Sequence, residues 1–275
     1  MPQGGFTVFL LIAARRRLLQ IAAAVVFALL LALLLCRSAA LPATASARLL
    51  PIYEVDTPEQ AVAISFDASW GAEHTEDILD ILDRYGVKTT FFLVNLWLED
   101  YPEMAKEIAA RGHEIGLHSA THPDMANLSR EQIERELADN YAMIEQTTGC
   151  APSLFRPPYG SYNDTVIAAA RDAGFTSVQW SVDSLDWQDL SAEEIFRRVT
   201  KDIHAGDIVL FHNNGLHTAE AMPRVLDYLQ EQGLQAVPVS RLLWQDDWYV
   251  DVNGVQRHSE SAAKARALLL ESSDT

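Results

Sequence analysis

Two histidines stand four residues apart in the segment Gly112-His113-Glu114-Ile115-Gly116-Leu117-His118-Ser119-Ala120-Thr121-His122-Pro123. If a strand stops at Leu117 and the chain then turns helically, His118 and His122 share one face, one turn apart. Two neutral imidazoles so placed form the core of a divalent-metal site. The same spacing suits a solvated or core-satisfied pair, so its meaning depends on residues elsewhere. Asp67, Arg156, Asp183 and His212 supply that company. Like His118, each falls at, or a few residues past, the end of a different strand-like run. In a parallel barrel such ends converge on one rim, where active sites form.

The elements that must position these residues follow from periodicity and caps. Short apolar runs predict strands at Ala61–Phe66, Thr89–Val94, up to Leu117, Leu154–Arg156, Ser177–Trp180, Asp207–Phe211 and Gln235–Val239. Helical patterns fill the gaps. Thr75 can cap a helix that stops at Gly86, and Pro102–Ala110 reads as a second helix. Ser129-Arg130-Glu131-Gln132 and Ser191-Ala192-Glu193-Glu194 are capping boxes, Asn163 caps a helix ending at Gly174, and an amphipathic stretch from Ala219 closes at Gly233. Strands alternating with helices imply parallel pairing, in a barrel or an open α/β sheet.

The 275 residues, 49% hydrophobic and 21% charged, suffice for one large packed domain. A formal net charge of −17 argues against bare nucleic acid or an anionic membrane surface as an electrostatic partner. Arg15-Arg16-Arg17 precede an apolar run, Leu18 to Leu35, broken only by Gln20 and followed by the small residues Ala43-Thr44-Ala45-Ser46-Ala47. That is the layout of an export signal, nearly long enough to stay as a membrane anchor if uncleaved. Residues 1–47 are thus expected to be leader or anchor, 48–60 a linker, 61–247 the domain and 248–275 a tail. Of the two cysteines, Cys36 belongs to the leader and Cys150 reads as a small packing residue, so no disulfide framework is expected.

Five segments in order resemble the polysaccharide deacetylase (NodB-homology) superfamily, carbohydrate esterase family 4. They are Ser65-Phe66-Asp67-Ala68-Ser69-Trp70-Gly71, His118-Ser119-Ala120-Thr121-His122, Arg156-Pro157-Pro158-Tyr159-Gly160, Asp183-Ser184-Leu185-Asp186-Trp187 and Leu210-Phe211-His212. Phe-Asp-Ala-Ser-Trp-Gly, with Asn213-Asn214 after the last histidine, is most similar to the branch associated with spore formation. The resemblance implies a distorted (β/α) barrel of about seven parallel strands. It also implies metal-dependent removal of N-acetyl groups from peptidoglycan or chitin-like glycan outside the cytoplasm. Hydrolysing an acetamide needs an activated water, a polarised carbonyl and a proton for the departing amine. By resemblance, Asp67 is the general base and Arg156 the charge that keeps it ionised. His118 and His122 hold zinc or cobalt, and His212 is the general acid. Asp186 is the partner that keeps His212 protonated, with Asp183 the weaker candidate, and Tyr159 and Trp187 face the sugar.

One position departs from the pattern. The family's second aspartate, its third metal ligand, is here Ala68. Waters, or Asp67 itself, Glu73, His74 or Asp124, would have to complete the shell. The alternative is a relative that binds glycan with weak or no catalysis, and the same residues would also support an esterase acting on O-acetyl sugars.

Overall fold

The computed structural model describes residues 48–260, with Val25 alone before them. The leader, Cys36 and the last part of the tail lie outside the described residues. Among the described residues no helix is long and apolar enough to cross a membrane.

Eleven strands occur in chain order: β1 (Glu54–Val55), β2 (Ala61–Ala68), β3 (Thr90–Leu93), β4 (Glu114–Leu117), β5 (Leu154–Phe155), β6 (Thr176–Ser177), β7 (Val182–Asp183), β8 (Ile208–His212), β9 (Gln235–Val237), β10 (Trp248–Val250) and β11 (Val255–His258). The main sheet runs β6-β5-β4-β3-β2-β8-β7, and β9 also pairs with β2. Every pairing in it is parallel. This is the distorted barrel the motifs imply, with one strand more than expected because an irregular break after Val178 separates β6 from β7.

β2 is buried along its whole length. Its two-residue alternation sends Val62, Ile64, Phe66 and Ala68 into the large cluster that also holds helix residues such as Ile78, Leu82 and Met222. Ala61 and Ala63 join the smaller cluster with Phe92, Leu154 and Ile208. Ser65 and Asp67 continue that second face, so the polar groups share the interior side of the strand. Both predicted capping boxes form, as does the Asn163 cap. The helix Thr75–Tyr85 differs: its cap is His74, and Thr75 is buried, accepting from Asn213 Nδ2 at 2.9 Å. Cys150 packs against the large cluster as a partly buried small residue.

The segments expected as linker and tail are partly folded. β1, β11 and β10 form a second sheet in that order. Ile52 and Val55 are buried, because Leu49-Leu50-Pro51-Ile52 is apolar enough to seal the seam of the barrel. Ile52 bridges Val178 beside β6, and Glu54 bridges Asp207 just before β8. Gly206 makes this closure possible: its φ is +98°, and a Cβ there would lie 2.0 Å from the Val55 carbonyl oxygen. Gly206→Ala should therefore cost about 1–3 kcal/mol through backbone strain alone, with steric overlap adding to it. Urea unfolding monitored by tryptophan fluorescence measures the loss.

Candidate active site

The parallel order brings the chemistry to one rim. Asp67 is the penultimate residue of β2 and His212 the last of β8, and the two are Cα partners in adjacent strands. His118 follows β4 and Arg156 follows β5. Neighbouring strands are about 4.8 Å apart, so Asp67 and His212 are held side by side by the backbone ladder itself.

Arg156 has no exposed surface. It donates from Nη1 to Asp67 Oδ1 at 2.8 Å, and from Nη2 to Ser65 Oγ at 2.9 Å and the Gln179 carbonyl at 3.0 Å. Its guanidinium also lies 4.2 Å from the Phe92 ring centre. Burial opposes ionisation of Asp67, but Arg156, His118 and His212 together outweigh it and hold the carboxyl below its usual range.

His212 carries the opposite bias. Burial disfavours its charge, yet the hydrogen bond and charge of Asp186 prevail and raise its pKa above the ordinary histidine value. Asp186 is wholly buried. It accepts from His212 Nδ1 at 2.8 Å, from His212 N–H at 2.8 Å and from Thr218 Oγ1 at 2.6 Å. Asp183, the weaker candidate, instead accepts from the Leu185 N–H in its own loop.

The two metal-candidate histidines meet, though not as expected. No helical turn joins them. Ser119 and His122 both adopt left-handed backbone, with φ of 70° and 55°. The rings approach edge to face with centres 5.0 Å apart. His118 donates from Nδ1 to the Arg156 carbonyl at 2.8 Å, which leaves the Nε2 lone pair facing Asp67 Oδ2 at 3.5 Å. Two acceptors facing each other in a buried setting suit a cation between them. Burial, reinforced by His118, pushes the His122 pKa down to about 4, and its Nδ1 is buried without a partner. Burial lowers the His118 pKa as well, so both imidazoles favour the neutral form that ligation requires.

Ala68 offers no donor, and of the residues suggested to complete the shell Asp67 faces His118 while Asp124 is engaged elsewhere. Asp124 accepts from Ser161 Oγ and from Asn127 Nδ2, and His74 starts a helix. Asp67, His118 and His122 do not bring three donor atoms within 4.8 Å of one another; among the described residues Glu54, His204 and Asp207 do. That trio lies where β8 begins, at the end of the strand away from His212. Asp207 is already engaged there by Ser181 Oγ at 2.6 Å and the His204 N–H at 2.7 Å.

Tyr159 and Trp187 are exposed, 67% and 58%, which rules out core packing for Trp187. Tyr159 lies 4.5 Å from the His122 ring, and Trp70, exposed and not anticipated from the sequence, lies 4.8 Å from it. Ser65, Gln179 and Thr218 were also missed. Ser65 was accessible from the sequence, since it stands two residues before Asp67 on the same strand face. The others depend on contacts made only in three dimensions.

Residues 54–178 match the polysaccharide deacetylase family model. The chain is 36% identical to a peptidoglycan-N-acetylglucosamine deacetylase of Bacillus cereus over 196 residues, which are 70% of this chain and 92% of that protein. The chain belongs to the polysaccharide deacetylase family. It is also 37% identical to the Bacillus subtilis protein YlxY, spanning 60% of that protein's length and 70% of its own. Among solved structures of this family, it is similar to BA3943 of Bacillus anthracis, described as a CE4 family pseudoenzyme. The identity is 32% and the TM-score 0.68, covering 76% of this chain and 72% of that one. A mutant of BA3943 described as having restored enzymatic activity aligns at 36% identity and the same TM-score, over 70% of each chain.

Proposed function

We propose that this polysaccharide deacetylase removes N-acetyl groups from amino-sugar polymers of the cell envelope, reached by export through the segment 1–47, with 61–247 and the short strands that flank it as the working domain. The reading rests on one observation above all. Asp67 is biased towards its ionised form and His212 towards its protonated form on adjacent, in-register strands, which is the division of labour amide hydrolysis needs. The peptidoglycan deacetylase relatives support the substrate class.

The donor set fits a zinc- or cobalt-like ion on His118 and His122, with solvent supplying the positions that Ala68 does not. Such an ion, when bound, polarises the acetyl oxygen and lowers the pKa of a coordinated water. Asp67 accepts the proton from the attacking water, kept a base by Arg156. His212 delivers a proton to the departing nitrogen, and Asp186, by raising its pKa, favours the protonated form that does so. Tyr159, Trp187 and the neighbouring Trp70 offer flat faces to sugar rings.

The test is acetate release from N-acetylglucosamine oligomers and from peptidoglycan, against O-acetylated xylan as control. His212→Ala should abolish amide cleavage. The pH–rate profile should rise as Asp67 ionises at acid pH and fall as His212 loses its proton above its raised pKa. Asp186→Asn removes the group that raises that pKa, so the basic limb should move to lower pH, and a limb that stays in place would refute the pairing.

The second reading, a glycan-binding relative with little catalysis, is favoured by Ala68 and by the likeness to BA3943. Polymer binding without acetate release, at full zinc occupancy, identifies it.

A further inference from the structure

One helix holds the loop that carries both candidate ligands. On Arg130–Thr148, Glu136 and Asn140 stand one turn apart, Asn140 reaching the ends of β3 and β4 and Glu136 the loop beyond β4. Asn140, wholly buried, accepts from the His118 N–H at 2.9 Å and donates to the Leu93 carbonyl at 3.0 Å and to Asn95 Oδ1 at 2.8 Å. Glu136 Oε2 accepts from two consecutive backbone groups, the Ala120 N–H at 2.9 Å and the Thr121 N–H at 2.8 Å, and its Oε1 accepts from Thr121 Oγ1 at 2.7 Å.

The loop needs this support. Ser119 and His122 occupy the left-handed region, where residues with a side chain are disfavoured. Such conformations persist only where the surroundings over-determine them. Ser119 contributes one constraint, its Oγ accepting from the His122 N–H at 3.0 Å. The remaining freedom lies at Ala120 and Thr121, midway between the two imidazoles. A carboxylate taking both their N–H groups fixes the peptide plane that joins them.

We infer that Glu136 is a positioning residue for the histidine pair: its carboxylate sets the turn that aims His122 at His118. The inference rests on the proposed function only in taking that pair as a cation site.

The test uses the full chain with Glu136→Ala and Glu136→Gln, read two ways. Amide hydrogen exchange of the metal-free protein reports on residues 118–123, and cobalt titration followed by its visible absorption reports on the pair. In Glu136→Ala, exchange of that loop should accelerate about tenfold while β2 and β8 keep their protection. Cobalt affinity should fall about 10–100-fold, the usual cost of losing a group that orients a ligand. Glu136→Gln retains one oxygen for both N–H groups and should stay close to the parent in both measurements. Unchanged exchange in Glu136→Ala would overturn the inference, and so would acceleration spread equally over β2 and β8. If the parent chain binds no cobalt, the cation reading fails while the exchange result still decides the role of Glu136.

Discussion

Arg156→Met is expected to destabilise the protein by about 3–5 kcal/mol at neutral pH, the range for removing one partner of a buried ion pair, and to leave no measurable deacetylation. The side chain is wholly buried and satisfies Asp67, Ser65 and the Gln179 carbonyl together. Methionine fills much of the space beside Phe92 but leaves a carboxylate with no charge partner of comparable strength. The sign of the pH dependence distinguishes this cause from a packing defect. In the parent chain the Asp67 pKa lies below its usual value, so its contribution to stability is present above the ordinary carboxylate range and is lost as pH falls through the lowered pKa. In Arg156→Met, burial acts on Asp67 with its largest opposing charge removed, so acid relieves the variant. The stability gap between the two should narrow as pH falls towards 4, by guanidinium unfolding at several pH values. Asp67→Asn in the Arg156→Met background should recover part of the loss. A gap that is constant with pH, with no recovery in the double variant, would show that charge is not the cause.

Ala68→Asp should have the second-largest effect, and in two directions. The alternation of β2 places Ala68 among Val62, Ile64 and Phe66, fully buried. A polar group there without a partner costs about 1–3 kcal/mol on protein scales, and more when ionised. The metal-free variant should therefore melt below the parent. Zinc should raise its melting temperature more than it raises the parent's, because a third anionic donor strengthens a two-imidazole site. Equal zinc shifts in the two proteins would separate residue 68 from the cation and favour the glycan-binding reading.

How far the sequence reveals this arrangement depends on the range of each interaction. Asp67, Arg156 and His212 are legible because each ends a run of apolar residues, and parallel strands place such ends together. The choice of Asp186 over Asp183 came from resemblance. It is explained physically by the left-handed Leu185, after which the chain re-aims Asp186 at the end of β8. The turn between His118 and His122 was misread as helical, since a four-residue spacing says nothing of positive φ at Ser119 and His122. Glu136 and Asn140 were invisible because they carry no motif and act across 15 to 22 positions of chain. The folding of residues 52–55 against the barrel also escaped detection, two-residue strands being too short for periodicity.

The register of β2 against β8 has one further consequence. Since ladder hydrogen bonds fix the backbone spacing of Asp67 and His212, the proposed proton-handling pair can outlast the loss of a cation ligand with no change in the scaffold. Descendants of such a barrel could fall silent, and regain turnover, through changes at a handful of loop and strand-end positions. Dormancy in this architecture would then be a reversible evolutionary state, and a quiet copy would retain most of what a working one requires.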